Sequence, residues 1–229
     1  MTESKLDKVV KARQALRERF EARMRATPSI ADPSPLGSGP QNRHGMPKLP
    51  AGQTRTEKWP VLDLGVLPKV TRETFRLAID GAVRAPLVLD FESLLELEQI
   101  EDTSDFHCVT TWSRMDLRWK GVRVADLLAL AEPLPEARAL LCHASDGYTT
   151  NVSLEEALKP DVLITYQVDG QPLPREHGGP VRMITPQLYA WKGAKWISRL
   201  EVLTENRPGF WEERGYSMTA LPWREDRYG

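Results

Sequence analysis

Between Thr27 and Thr56 the chain carries Pro28, Pro33, Pro35, Pro40, Pro47 and Pro50, interspersed with Gly37, Gly39, Gly45 and Gly52. Proline removes a backbone donor and fixes φ, while glycine loses more conformational freedom on ordering than any other residue. Helix and sheet are both disfavoured there, so residues 27–57 are expected to form a linker or an extended surface strap. This stretch divides the chain into a charged arm, residues 1–26, and a domain, residues 58–229, long enough to bury a core.

In the arm, Leu6, Val9, Val10, Leu16, Phe20 and Met24 recur at near-helical spacing among Lys, Arg and Glu, which predicts a helix over residues 3–25. Its charges read as a solvated face, so it is expected to pack against the domain and not to bind anything. With 41% hydrophobic and 28% charged residues and a net charge of -1, the chain is globular and has no bulk attraction for nucleic acid or anionic membrane. No run approaches the roughly 20 apolar residues of a membrane span. The first residues contain neither an apolar signal core nor a twin arginine, so a cytoplasmic location is expected.

The domain should open near Trp59. Thr74 to Gly81 alternates polar and apolar residues and ends in glycine, as a half-buried strand and turn would. Asp90 is placed to cap a short helix over Ser93–Leu97, and Val124–Ala131 reads as a helix stopped by Pro133. Ala139–Ala144 is a buried strand, and Ser153-Leu154-Glu155-Glu156 has the spacing of a capping box. Further strands are expected at Asp161–Val168, Val181–Thr185 and Ile197–Leu203, with a turn at Asp169-Gly170. Strands and short helices mix without a regular βαβ alternation, so the fold class is α+β. No glycine-rich fingerprint for a dinucleotide or a nucleoside triphosphate is present.

Chemistry concentrates in three blocks. The first is Asp105-Phe106-His107-Cys108-Val109-Thr110-Thr111-Trp112-Ser113-Arg114, running on to Trp119-Lys120-Gly121. A thiolate is the ligand or nucleophile form of cysteine and is favoured by positive charge, which Arg114, Arg118 and Lys120 could supply. A buried cysteine is equally at home as a small hydrophobe. Cys108 and Cys142 leave a disulfide and two free thiols both open. His107 points away from Cys108 along a strand, which makes it a poor base for a thiol enzyme; His143 is the other candidate base. The second block is Gly170-Gln171-Pro172-Leu173-Pro174-Arg175-Glu176-His177-Gly178-Gly179-Pro180-Val181-Arg182, followed by Trp191-Lys192-Gly193-Ala194-Lys195-Trp196. Arg182, Lys192 and Lys195 offer cationic donors, and Gly178, Gly179 and Gly193 would let backbone approach a ligand. The third is Gly209-Phe210-Trp211-Glu212-Glu213-Arg214-Gly215-Tyr216.

Together these blocks resemble the sulfite oxidase superfamily of molybdenum enzymes, more closely the small bacterial sulfite-oxidase-like branch related to the catalytic subunit of methionine sulfoxide reductase. His177 follows the sulfite oxidase pattern where the sulfoxide reductases have Asn. The cysteine loop departs from sulfite oxidases, lacking the asparagine and paired arginines that follow the cysteine there. The resemblance runs from about Trp59 to Trp223 and leaves no room for their separate dimerisation domain, which implies a monomer. It implies a sulfite-oxidase-like molybdopterin-binding fold with a molybdenum-molybdopterin cofactor. Cys108 would bind the metal. Leu62, Asp63, Ser145, His177, Arg182, Gly193, Ala194 and Lys195 would contact the pterin or its phosphate. Tyr216 would orient substrate or move a proton, and Arg114 would hold an anionic substrate. The implied activity is oxygen-atom transfer to or from a small sulfoxide, N-oxide or sulfite-like molecule, with electrons exchanged through a separate partner or carrier. A protein that keeps the fold but serves only as a binding scaffold is the alternative.

Overall fold

The computed structural model describes residues 4–26 and 34–229. Residue 3 of the expected helix and residues 27–33 of the expected strap lie outside them. The arm is a helix, α1 (Lys5–Ala26), whose Val9 and Val10 pack against the main core. The strap is more structured than proline and glycine suggested. Strands β1 (Gly37–Gln41) and β2 (Pro47–Pro50) form an antiparallel hairpin with an irregular register between Ser38 and Gln41. A two-residue strand, β3 (Thr54–Arg55), then joins a larger sheet. The prolines are tolerated because the β1–β2 hairpin stands apart from the larger sheets, so each strand has a free side where a missing donor does no harm.

The domain holds two sheets. One has the order β5 (Leu87–Leu89), β4 (Leu77–Gly81), β13 (Ile197–Leu203), β8 (Ala139–Ala144), β9 (Thr149–Ser153), antiparallel except for the β4–β13 pair. The other centres on β7 (Trp112–Arg123), which pairs with β6 (Ile100–Cys108), β10 (Leu163–Val168) and β3; β10 also pairs with β11 (Gln171–Pro172) and β12 (Arg182–Ile184). Three short helices, α2 (Phe91–Glu96), α3 (Val124–Ala131) and α4 (Leu154–Ala157), complete the α+β architecture expected from the sequence. Asp90 accepts from the Ser93 amide at 2.9 Å, as a cap should. Ser153 accepts from the Glu156 amide at 3.2 Å, but the Glu156 carboxylate turns to Lys159 at 2.7 Å instead of closing the capping box. One core joins the two sheets and takes in Leu77, Ile79, Leu127, Leu140, Ile164 and Leu200, each almost wholly buried.

Two features of this packing fix the place of the chemistry. The turn between β6 and β7, Val109 to Thr111, is gripped from the strap and from the C-terminus: Gln53 donates to the Cys108 carbonyl at 3.1 Å, and Arg227 donates to the Val109 carbonyl at 2.6 Å. The Thr54 amide donates to the Thr111 carbonyl at 2.9 Å, and Thr111 itself sits at φ 77°. The second feature is a fully buried ion pair. Lys192 donates to Glu212 at 2.7 Å and to Asn151 at 2.5 Å, and Glu212 also accepts from Thr150, Trp191 and the Gly209 amide. This network ties the C-terminal segment to β9. Removing one member of a buried pair strands the other charge, which costs about 3–5 kcal/mol. Glu212→Gln is therefore expected to lower the urea unfolding midpoint by an amount equivalent to that loss, with the slope of the transition unchanged.

Candidate functional site

Side chains alternate along a strand, so Phe106 and Cys108 share one face of β6 and His107 takes the other. Phe106 and Cys108 line a cleft of about 830 Å³, counted to its open mouth, within the usual range for small-molecule sites. His107 is buried on the far side, its Nδ1 2.8 Å from the Ser113 hydroxyl. Cys108 is 6% exposed, its Sγ 3.0 Å from the Thr110 hydroxyl. Cys142 lies in the core; both cysteines are free thiols, and burial pushes the Cys142 thiol up to about 12. His143 is engaged with Glu201 at 2.9 Å. Neither histidine lines the cleft, so neither can serve Cys108 as a base.

Four regions far apart in the sequence converge on the sulfur. The segment after β3 contributes Trp59, Leu62, Asp63 and Leu64; the loop between β8 and β9 contributes Asp146 and Tyr148. The second block supplies His177, Arg182, Trp191, Gly193 and Lys195, and the C-terminal segment supplies Trp211 and Tyr216. Of the residues named from the sequence, Cys108, Leu62, Asp63, His177, Arg182, Gly193, Lys195 and Tyr216 meet here.

Three others do not. Arg114 does not line the cleft: it pairs with Asp169 at 3.2 Å and stacks over Trp59, one of the residues that do. Ser145 is exposed and also outside it. Ala194 is buried, and its carbonyl is taken by the Met183 amide at 2.9 Å. The other cations near the cysteine in sequence are equally diverted, Lys120 to Glu101 and Arg118 to Asp169. Lys192 belongs to the internal ion pair. The glycines allow close approach of the protein's own atoms. A Cβ on Gly178, which has φ 108°, would fall 2.9 Å from the Arg182 Cβ, and one on Gly193 would fall 2.7 Å from the Met183 carbonyl oxygen.

The electrostatics of the cleft are those of an anion site. Arg182 is 2% exposed and donates to three carbonyl oxygens, of His177 at 2.9 Å, Gly193 at 3.0 Å and Met183 at 3.2 Å. Among the described residues no carboxylate pairs with it. Burial pushes its pKa down to about 9, so it stays charged at neutral pH. Lys195 donates to the Glu176 carbonyl at 2.9 Å and lies 4.0 Å from Asp63; burial, then Arg182, push it down to about 8. His177 stacks on Trp59, with ring centres 3.8 Å apart and planes 7° apart. Burial first, then Arg182, hold the imidazole at about 4, so it is neutral at pH 7. Tyr216 is 4% exposed among Trp191, Trp211 and Tyr228, and burial raises its phenol well above the ordinary value. No hydrogen bond of normal geometry reaches its hydroxyl.

Sequence reading missed Trp59, Asp146 and Tyr148, and it assigned the arm no part in binding. Val9 and Arg13 of α1 nonetheless line the cleft. Their only signal was the helical stripe itself, since Val9 belongs to its apolar face and Arg13 lies one turn further on.

Residues 64–211 match the model of the oxidoreductase molybdopterin binding domain. Over 182 residues the chain is 40% identical to the uncharacterized oxidoreductase YuiH of Bacillus subtilis (strain 168), covering 79% of this chain and 92% of that protein. It is 31% identical over 183 residues to the protein-methionine-sulfoxide reductase catalytic subunit MsrP of Gluconobacter oxydans (strain 621H), covering 68% of this chain and 58% of MsrP. Against human mitochondrial sulfite oxidase the identity is 29% over 179 residues, 66% of this chain and 33% of that one. The chain thus spans little more than half of MsrP and a third of sulfite oxidase. The crystal structure of the sulfane dehydrogenase SoxCD from Paracoccus pantotrophus shares the fold, with a TM-score of 0.57 at 24% identity over 61% of this chain and 41% of that chain. Among the described residues, no helix is long and apolar enough to cross a membrane. The chain belongs to the molybdopterin-binding oxidoreductases of the sulfite oxidase superfamily, on the branch related to MsrP.

Proposed function

We propose that the protein is a molybdenum-cofactor-dependent oxidoreductase that transfers an oxygen atom to or from a small substrate such as a sulfoxide, an N-oxide or a sulfite-like molecule. One juxtaposition carries this reading: the Cys108 sulfur and the guanidinium of Arg182, which among the described residues donates to carbonyl oxygens and pairs with no carboxylate, line the same cleft. A buried cation is stabilised by an opposite charge, and a phosphate at Arg182 and Lys195 would supply it. A thiolate is a soft donor suited to a soft metal centre. Among the described residues no group of three or more His, Cys, Asp or Glu side chains is gathered as a metal cage. A metal at Cys108 therefore fits one whose other ligands arrive with an organic molecule.

When bound, the cofactor supplies the two-electron change that accompanies oxygen-atom transfer. The chain's own residues hold and orient it. Arg182 and Lys195 would grip the phosphate. His177, neutral and stacked on Trp59, can donate through one ring nitrogen and accept through the other, as a pterin edge requires. Tyr216 keeps its proton at neutral pH and so presents a hydroxyl donor to a substrate oxygen near Cys108. Trp191, Trp211 and Phe106 exclude water around it. Electrons would be exchanged with a separate protein or small carrier.

Protein purified from a molybdenum-replete, pterin-competent host is expected to contain near-stoichiometric molybdenum and a fluorescent oxidised pterin; absence of both would sink the reading. Cys108→Ala is expected to abolish turnover while retaining pterin, because the phosphate grip is intact, whereas Arg182→Met should lose pterin. Full turnover in Cys108→Ala would exclude the sulfur from the chemistry. Lys195 is charged below its pKa and neutral above it, so molybdopterin uptake by cofactor-free protein should weaken as pH rises through about 8. The fall should approach tenfold per pH unit and flatten in Lys195→Met. A pH-independent affinity in the wild type would remove Lys195 from the phosphate site.

A further inference from the structure

The cation that the sequence placed at the substrate, Arg114, is engaged by Asp169 and Trp59 and does not line the cleft. Another arginine stands inside it. Arg13 comes from α1, beyond the matched segment 64–211, and lines the cleft together with Cys108, Trp211 and Tyr216. The helix is fastened at several points around it. Lys5 approaches Asp63 at 3.9 Å, Arg17 donates to the Arg214 carbonyl at 3.2 Å, Arg23 pairs with Glu225 at 2.7 Å, and Phe20 meets Tyr228 with ring centres 5.3 Å apart. These cations are spent on seating the helix.

Arg13 is not. Its guanidinium carbon lies 5.8 Å from the ring centre of Trp211, and among the described residues it has no carboxylate partner. Its Nη1 is buried with no acceptor. The phenol of Tyr216, buried against Tyr228 with ring centres 4.9 Å apart, feels the positive charge of Arg13, then the Tyr228 hydroxyl, and last the negative field of Cys108. An unpaired cationic donor and a phenol thus line the same cleft as the sulfur. Leaving a buried cationic donor unpaired is costly, and an oxygen-bearing anion would satisfy it while accepting from the phenol.

We propose that Arg13 is a specificity-determining residue that selects anionic substrates, binding a negatively charged oxygen between its guanidinium and the Tyr216 hydroxyl. The inference rests on the oxygen-transfer reading and deepens it, since it assigns the substrate's charge and the helix that recognises it. The arm is then part of the site, and a substrate without negative charge leaves Arg13 unpaired.

The test compares wild-type, Arg13→Gln and Arg13→Lys holoproteins of matched molybdenum and pterin content. Sulfate, an unreactive oxyanion, is titrated into each calorimetrically, and KM and kcat are measured for a carboxylate-bearing sulfoxide and for neutral dimethyl sulfoxide. A hydrogen bond to a charged group is worth about 1.5–3 kcal/mol, so Arg13→Gln is expected to weaken sulfate binding and raise KM for the anionic sulfoxide by about tenfold or more. Arg13→Lys should recover part of both, and the loss for the neutral sulfoxide should be much smaller than for the anionic one. Equal sulfate affinity in wild type and Arg13→Gln, no sulfate binding by the wild type, or equal losses for the charged and neutral substrates would each overturn the assignment. Lack of molybdenum in all three proteins would instead overturn the reading of the site, and the inference with it.

Discussion

Cys108 and Val109, where β6 runs into its turn, are buried, and buried carbonyls need donors. β6 ends at Cys108 and β7 begins at Trp112, and across the turn between them the Thr111 amide donates to the Cys108 carbonyl at 3.1 Å. Gln53, Arg227 and the Thr54 amide add bonds to the carbonyls of Cys108, Val109 and Thr111, from the strap on one side and the chain's C-terminus on the other. Arg227 is 1% exposed; besides its bond to Val109 it donates to the Gly52 carbonyl at 3.4 Å, lies over the Tyr189 ring and approaches Glu225 at 3.9 Å. The sulfur is thereby fixed at the floor of the cleft by parts of the chain lying at opposite ends of the sequence.

The walls obey a related rule. Charges inside this protein are of two kinds. Lys192 and Glu212 are buried, paired and surrounded by donors and acceptors, which fits a structural joint. Arg182, Lys195 and Arg13 border empty space and meet carbonyl oxygens or an aromatic face more than carboxylates. Desolvation opposes the charges of Arg182 and Lys195, as their lowered values record. Cations held at such a cost beside a cavity fit an anionic ligand better than a structural purpose. Their arrangement also separates two tasks: Arg182 and Lys195 stand with His177 on the side of the second sequence block, while Arg13 stands with Tyr216 and Trp211.

Much of this was legible in the chain. Val124–Ala131 and Ala139–Ala144 are bounded in the structure where the sequence places them, because capping, proline and β-branched or apolar runs act over a few residues. The strap was read less well. Composition disfavoured strands there, yet β1 and β2 pair with each other and β3 adds to the edge of the larger sheet, where a missing donor or a short run is tolerated. Arg114, Ser145 and Lys192 do not line the cleft, for another reason. Each stands close in sequence to residues that do line the cleft, but side-chain direction is settled by which partner lies across the sheet or in the core: Asp169 for Arg114 and Glu212 for Lys192.

By itself the sequence determined the α+β class, the local elements and the residue types the chemistry needs, a lone cysteine before a β-branched run and cations after a glycine-proline loop. Those properties are local, and a few neighbouring residues suffice to state them. Only the tertiary structure decided which cations face the sulfur and which are consumed as structural partners, and that an amphipathic arm closes one wall with Arg13. Such choices depend on desolvation and on the satisfaction of buried donors and acceptors, both of which are set by residues far away along the chain.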